Sequence, residues 1–248
     1  MVVRMLALTV SMVCTSIAQG PLRFELKRVE KKSGSCVITF EYPEIISAAT
    51  PQARERMNTG IVRVLMQRTD WPARDSGFAS VNAYAQEFIK SCPEDQKGRY
   101  PRELYEHKTV TIFRYTPPIL SVKCDAVADE GGVHPYGTTL FVNFDSSTGK
   151  TLTLADLLRE GALAKLESIA EAKFREEYRL SPTESLSEHG FNFPGNRFRL
   201  NHNFGIGEKE VVFLFNTYEM GPGAMGPTEI TIPLVFVRDV FRPNLHLW

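Results

Sequence analysis

Apolar and polar residues alternate with period two at residues 36–42, where Ile38, Phe40 and Tyr42 interleave with Val37, Thr39 and Glu41. That period predicts a strand, and Pro43 is expected to end it. The period then changes. Met57, Ile61, Val64 and Leu65 recur at helical spacing behind Thr50-Pro51, a capping residue followed by a proline suited to a first turn. A second helix is predicted over residues 78–91, with Val81, Tyr84, Ala85 and Phe88 on one face. Beyond a polar stretch at residues 93–101, strands are expected at 104–115, 119–127 and 138–145, with Pro117-Pro118 bending the chain between the first two. Residues 146–149 read as a turn.

Thr153 and Asp156 have the spacing of a capping box for a short helix broken at Gly161. A longer helix follows, with Leu163, Leu166, Ile169, Ala170 and Phe174 inward. Residues 181–195 read as a loop. Short strands are expected at 197–200 and 203–206, and a turn at 207–209. The strongest strand spans 211–218, with Val211, Phe213 and Phe215 on one side and Val212, Leu214 and Tyr218 on the other. A loop at 219–227, a strand at 228–232 and a last short helix at 235–241 complete the chain. Strands and helices come in blocks. An α+β fold of mostly antiparallel sheets packed with helices is therefore expected over a doubly wound one.

The first residues follow a different logic. Arg4 supplies a positive start, residues 5–13 are an apolar run, and Thr15-Ser16-Ile17-Ala18 place small residues before a cut after Ala18. These are the three zones of a signal peptide. The run is shorter than the roughly 20 apolar residues of a membrane span. A lipoprotein reading through Cys14 is disfavoured by the bulky Val13 before it. The expected organisation is a signal peptide at 1–18, an N-terminal α+β subdomain at 19–128 and a C-terminal one at 129–248, in a periplasmic or secreted protein without a membrane span.

Cleavage leaves Cys36, Cys92 and Cys124. Export permits a disulfide, and an odd count leaves one thiol over. If the two early helices run back and forth over the first strand, the end of the second lies beside residues 119–127. Cys92–Cys124 is then the expected pair.

Charge changes the picture little. Lys and Arg number 29 and Asp and Glu number 29, so nothing draws the chain to nucleic acid or anionic lipid. Lys27-Arg28 and Lys31-Lys32 read as a solvated strand edge. Gly221, Gly223 and Gly226 match G-x-G-x-x-G, but Pro227 and a strand follow where a phosphate-binding helix is required. Ser147 and Lys150 match S-x-x-K in a turn, not on a helix. Neither G-x-S-x-G nor H-E-x-x-H occurs, and no zinc spacing is present. No metal or other cofactor and no catalytic set are expected.

The segment Gly131, Gly132, His134 and Tyr136 could present two rings to a ligand at a strand start, with Tyr218 and Glu219 as a facing wall. Each also fits a plain hairpin connection or strand end.

Taken in order, several segments resemble one family. They are Gly131-Gly132-Val133-His134, Val142-Asn143-Phe144-Asp145 with Thr148-Gly149-Lys150, and Leu152 to Leu158. Phe213-Leu214-Phe215 with Tyr218-Glu219 and the Gly-rich loop before Thr231-Ile232-Pro233 complete the series. The family is the extracytoplasmic domain shared by the lysozyme-sensing anti-sigma factor RsiV and the non-catalytic N-terminal part of the peptidoglycan deacetylase PdaC. The resemblance implies a two-part α+β module that binds or senses an envelope partner, either a cell-wall glycan or a lysozyme-like protein. The chain departs from that pattern in lacking a sigma-binding segment and a deacetylase domain, and in carrying Pro135 after the histidine. The competing expectations are an envelope hydrolase using Glu219 and His134 as acid and base, and a structural envelope domain without a ligand.

Overall fold

A computed structural model of the protein describes residues 22–69, 75–92 and 102–247. The expected signal peptide with Ala18 and Cys14, and the polar stretch 93–101, lie outside the described residues. The fold is mixed α+β, with a six-stranded sheet in the order β1-β2-β3-β4-β5-β6 and a three-stranded sheet in the order β7-β8-β9. The large sheet comprises β1 (Arg23–Ser33), β2 (Cys36–Ser47), β3 (Leu104–Thr116), β4 (Ile119–Asp129), β5 (Tyr136–Asp145) and β6 (Thr151–Leu152). The small one comprises β7 (Phe204–Ile206), β8 (Glu210–Phe215) and β9 (Thr228–Pro233). Every neighbouring pair is antiparallel except β2 and β3.

That parallel pair requires a crossover. The chain makes it through α1 (Pro51–Leu65) and α2 (Val81–Ser91), whose side-chain caps are Thr50 and Ser80. Both helices press their apolar faces on one side of the sheet, where Met57, Ile61, Leu65 and Ala85 meet Ile38, Phe40, Val122 and Phe144. Gly60 is needed at this contact, since a Cβ there would lie 2.5 Å from the Phe144 ring.

Pro43 does not end β2. Pairing with the parallel partner β3 ends at Glu41–Thr109, while β2 continues against β1 to Ser47. Past that point nothing on the β3 side requires a Pro43 N–H. Instead the Asn58 side chain, from α1, accepts from the Ile45 N–H at 2.7 Å and donates to the Ile45 carbonyl at 2.9 Å.

After β6 the chain passes through the single turn α3 (Leu154–Leu157), closed by the expected Thr153–Asp156 capping box, and α4 (Leu163–Glu177). Leu166, Ala170 and Phe174 of α4 form a second core with Val211, Phe213 and Phe215 of β8 and Phe191, Phe193 and Phe198 of the preceding loop. The other face of β8 supplies Val212 and Leu214, which pack with Phe141 and Phe113 from the large sheet. The small sheet therefore covers the large one on the face opposite α1 and α2. Gly205 permits this approach; a Cβ there would fall 2.3 Å from the Phe141 ring. β5 and β6 hydrogen-bond into the sheet of β1–β4, so the large sheet runs across residues 128–129.

Three local expectations change. Residues 197–200 form no strand. β8 stops at Phe215, and Asn216–Glu219 is a turn in which Tyr218 has a left-handed φ of 71°. Residues 235–241 form no helix beyond a 3-10 turn at Leu234–Phe236, because their backbone is used elsewhere. The Val240 carbonyl accepts from the Arg159 N–H at 2.9 Å, and the Arg242 N–H donates to the Leu157 carbonyl at 2.9 Å.

The disulfide is Cys36–Cys92, and Cys124 is free and buried. The expected Cys92–Cys124 pair fails for a topological reason. Parallel pairing starts β2 at the level of Leu104, so Cys36 stands at the same sheet end as the C-cap residue Cys92 of α2. Cys124 pairs with Val110 further along β3, with its thiol inside the core beneath the helices. Burial pushes that thiol's pKa up to about 12.

Candidate functional site

The outer edge of β5 decides where a site can form. β6 pairs with β5 only at Asn143 and Phe144. Upstream of that, backbone groups on the outer edge need other partners, and asparagine side chains provide them. Asn216 accepts from the Thr139 N–H at 2.8 Å and donates to its carbonyl at 3.1 Å. Asn203 donates to the same carbonyl at 2.8 Å and accepts from the Phe141 N–H at 2.9 Å. Asn143 acts in the reverse direction, donating to the Phe204 carbonyl at 2.8 Å and accepting from the Ile206 N–H at 3.2 Å. Amides thus join the two sheets where a further strand would otherwise lie.

A side chain spans less width than a strand, so a groove of about 510 Å³ remains beside this seam. Gly60, Arg63 and Val64 of α1, with Gln67 just beyond its end, line one wall; Leu140, Phe141 and Val142 of β5 line another. Asn201, His202, Asn203 and Glu219 close it. Arg63 and His202 are exposed, and Glu219 is half-buried.

Glu219 is held rigidly. Its Oε1 accepts from the Asn201 amide at 2.7 Å and its Oε2 from the Asn216 N–H at 2.8 Å. The Asn201 amide also donates to the Leu214 carbonyl at 2.7 Å. Burial raises the Glu219 pKa above the ordinary carboxylate value, against the lowering effect of these two hydrogen bonds. The result is an oriented carboxyl group in a groove that Arg63 and Gln67 also line, a set suited to hydroxyl and amide groups of a polar ligand. Among the described residues no cluster of three or more His, Cys, Asp or Glu side chains could hold a metal ion.

The other residues singled out in the sequence lie elsewhere. Gly131, Gly132 and His134 occupy the exposed connection from β4 to β5. Gly131 has a φ of 86° and donates its N–H to Asp129 at 3.0 Å, while the Gly132 carbonyl accepts from Arg102 at 2.6 Å. Arg102 also pairs with the Asp129 carboxylate at 2.5 Å, which braces the tip. The His134 ring nitrogen Nδ1 lies 3.0 Å from the Pro135 carbonyl. Tyr136 begins β5. Tyr218 is 59% exposed and packs on the Gly-rich loop, where a Cβ on Gly223 would lie 2.4 Å from its ring. None of these five residues lines the groove that holds Glu219. The residues that join Glu219 are Asn201, His202, Arg63 and Gln67. The polar triplet Asn201-His202-Asn203 between apolar Leu200 and Phe204 was the available signal in the sequence.

The fold and this groove define a two-sheet α+β protein with a polar site at the seam between its sheets. Residues 155–234 match the family model described as "Protein of unknown function (DUF3298)". Two solved structures share the fold. A DUF3298 family protein from Pseudomonas aeruginosa PAO1 is 17% identical with a TM-score of 0.67, covering 91% of this chain and 97% of its own. A member of the same family from Bacteroides fragilis NCTC 9343 is 18% identical with a TM-score of 0.69, covering 92% and 96%. No curated protein matches the chain.

Proposed function

We propose that this protein is an exported binding domain of the cell envelope, and that its ligand is a cell-wall glycan seated in the groove beside β5. The observation that carries this reading is the Glu219 carboxyl group. It is held by Asn201 and the Asn216 backbone in an open cavity that Arg63 and Gln67 also line. Saccharide hydroxyls both donate and accept; the fixed Glu219 carboxylate supplies acceptors, and Arg63 and Gln67 in the same lining supply donors.

Export is supported by the three-zone N-terminal sequence and by the Cys36–Cys92 disulfide, a bond that persists in oxidising compartments. The resemblance of the motif order to the RsiV and PdaC extracytoplasmic domain supports an envelope partner. A lysozyme-like protein is the competing ligand from that resemblance. No observation pairs His134 with Glu219, whose hydrogen bonds are to Asn201 and Asn216.

The test is titration of the exported chain with peptidoglycan oligosaccharides and, separately, with lysozyme. Glycan binding that weakens about tenfold or more in Glu219→Gln and Asn201→Ala is expected, from the size of a charge-assisted hydrogen bond. Binding of lysozyme alone, or glycan binding untouched by both variants, would refute the groove assignment.

A further inference from the structure

β1 is the edge of the large sheet, and among the described residues no strand pairs with its outer side. Which of its backbone groups face outward follows from β2. Pro43 has no N–H to give its partner Leu26, and the backbone groups of Ile45, the partner of Phe24, are taken by the Asn58 side chain. In an antiparallel ladder, pairs that exchange hydrogen bonds alternate with pairs whose groups point away from each other. Leu26–Pro43 and Phe24–Ile45 are therefore of the second kind. The register is unbroken from Phe24 to Ser33. Phe24, Leu26, Arg28 and Glu30 thus turn their N–H and C=O groups to the free edge, while Glu25 and Lys27 turn theirs to β2. Such an edge is a template for a further strand. Its apolar side chains reach into water, Leu26 at 79% and Phe24 at 46% exposure.

The charges select the strand that fits. Consider a second copy of β1, antiparallel to the first and related to it by a two-fold axis at Leu26. Leu26 then stands against Leu26, Phe24 against Arg28 and Glu25 against Lys27. The Glu25–Lys27 pairs, one on each side of the axis, fall at non-hydrogen-bonded positions, where opposed side chains come closest. Lys27 already lies near Glu25 and Glu44 of its own copy, and an ammonium with three donors reaches a further carboxylate. The other two-fold registers fail. Centring on a charged residue sets it against its own copy, and centring on Val29 sets Lys27 against Lys31; like charges directly opposite are destabilising. Centring on Phe24 or Ser33, at the ends of β1, leaves too few residues to pair.

We propose that the β1 edge binds a second copy of this chain, joining the two large sheets through an antiparallel β1–β1 ladder centred on Leu26. The interface is isologous, the same edge serving both copies. Val29, the partner of the core residue Phe40, points toward the helices, so Leu26 and Phe24 point to the opposite face. There the Leu26 and Phe24 side chains of both copies meet across the junction.

The experiment is analytical ultracentrifugation of the exported chain from about 1 μM to about 1 mM. The unaltered chain is expected to pass from monomer to dimer within this range. Glu25→Lys and Lys27→Glu, each alone, set like charges opposite at both pairs and should weaken self-association about tenfold or more. Mixed in equal amounts, the two variants should dimerise with each other about as tightly as the unaltered chain, because every opposed pair is again a lysine against a glutamate. Hydrogen exchange reads the register. The Leu26 and Arg28 amides should slow with rising concentration by a larger factor than those of Glu25 and Lys27, which are already bonded to β2. A chain that stays monomeric to about 1 mM, a dimer that both variants leave intact, or variants that do not recombine would each overturn the proposal.

Discussion

Replacing Lys108 with methionine tests how α1 is held to the sheet. Lys108 and its partner Glu106 lie on β3 with side chains only 1% and 2% exposed, their charged atoms 3.0 Å apart. The Lys108 ammonium also donates to the Leu65 carbonyl at 3.0 Å and the Gln67 carbonyl at 2.5 Å, both at the C-terminal end of α1. It lies 4.5 Å from the centre of the Tyr84 ring on α2. A cation at a helix C-terminus satisfies carbonyls that have no partner within the helix. One side chain thus ties both helices to β3. Methionine keeps the length and the apolar stem but removes the charge and all three donors. Glu106 is then left buried with only the Thr69 and Tyr84 hydroxyls as donors, and its Oε2 already has no hydrogen bond. Removing one member of a buried ion pair costs about 3–5 kcal/mol. Total domain stability is about 5–15 kcal/mol, so the loss is a large share. The expected fall in melting temperature for a domain of this size is on the order of 10 °C. Urea titration followed by circular dichroism measures it. The double variant Lys108→Met, Glu106→Leu should recover more than half of the loss, because it removes the uncompensated charge as well. A single-variant cost below about 1 kcal/mol, or a double variant no better than the single, would refute the account.

Glu219 makes stability depend on pH. Its folded pKa is raised above 4.5, chiefly by burial. Between that ordinary value and the raised one, the unfolded chain ionises while the native state keeps its proton. The contribution of this group to stability is present below the window and is lost as pH rises through it. Glu219→Gln should flatten that part of the urea-midpoint profile. Asn203→Ala and Asn216→Ala each remove hydrogen bonds from the β5 edge and should cost about 1–3 kcal/mol. The Thr139 and Phe141 amides should then exchange hydrogen faster, and unchanged exchange would count against the amide seam. Reducing Cys36–Cys92, which closes a span of 56 residues, should destabilise the protein by about 4 kcal/mol on loop entropy. Cys124 should resist iodoacetamide in the native state and react fully in urea, since its thiol is buried with a pKa pushed up to about 12; mass spectrometry counts the adducts.

Sequence pattern located the elements that bury a face through local periodicity. α1 with its Thr50 cap, the Thr153–Asp156 box and the two-sided burial of β8 were all legible, because a cap and a period are properties of neighbours in the chain. β1 was legible only as a solvated edge. Its residues are mostly exposed, so no buried stripe marks its eleven-residue extent. Pro43 misled because proline's effect in a strand depends on which side has a partner, and that is decided by where the β2–β3 pairing ends.

The candidate site was legible at one residue. Glu219 was singled out, but its companions come from α1, from β5 and from Asn201-His202-Asn203, as far as 159 positions away at Gly60. No local period links such residues.

The sequence by itself determined the fold class, the period and caps of most elements and the near-neutral charge, all of which follow from short-range chemistry. The tertiary structure alone decided the parallel β2–β3 pairing and, through it, which cysteines meet. It also decided that asparagine side chains replace a strand at the β5 edge. A side chain fills less space than a strand, and the groove beside Glu219 is the space left over.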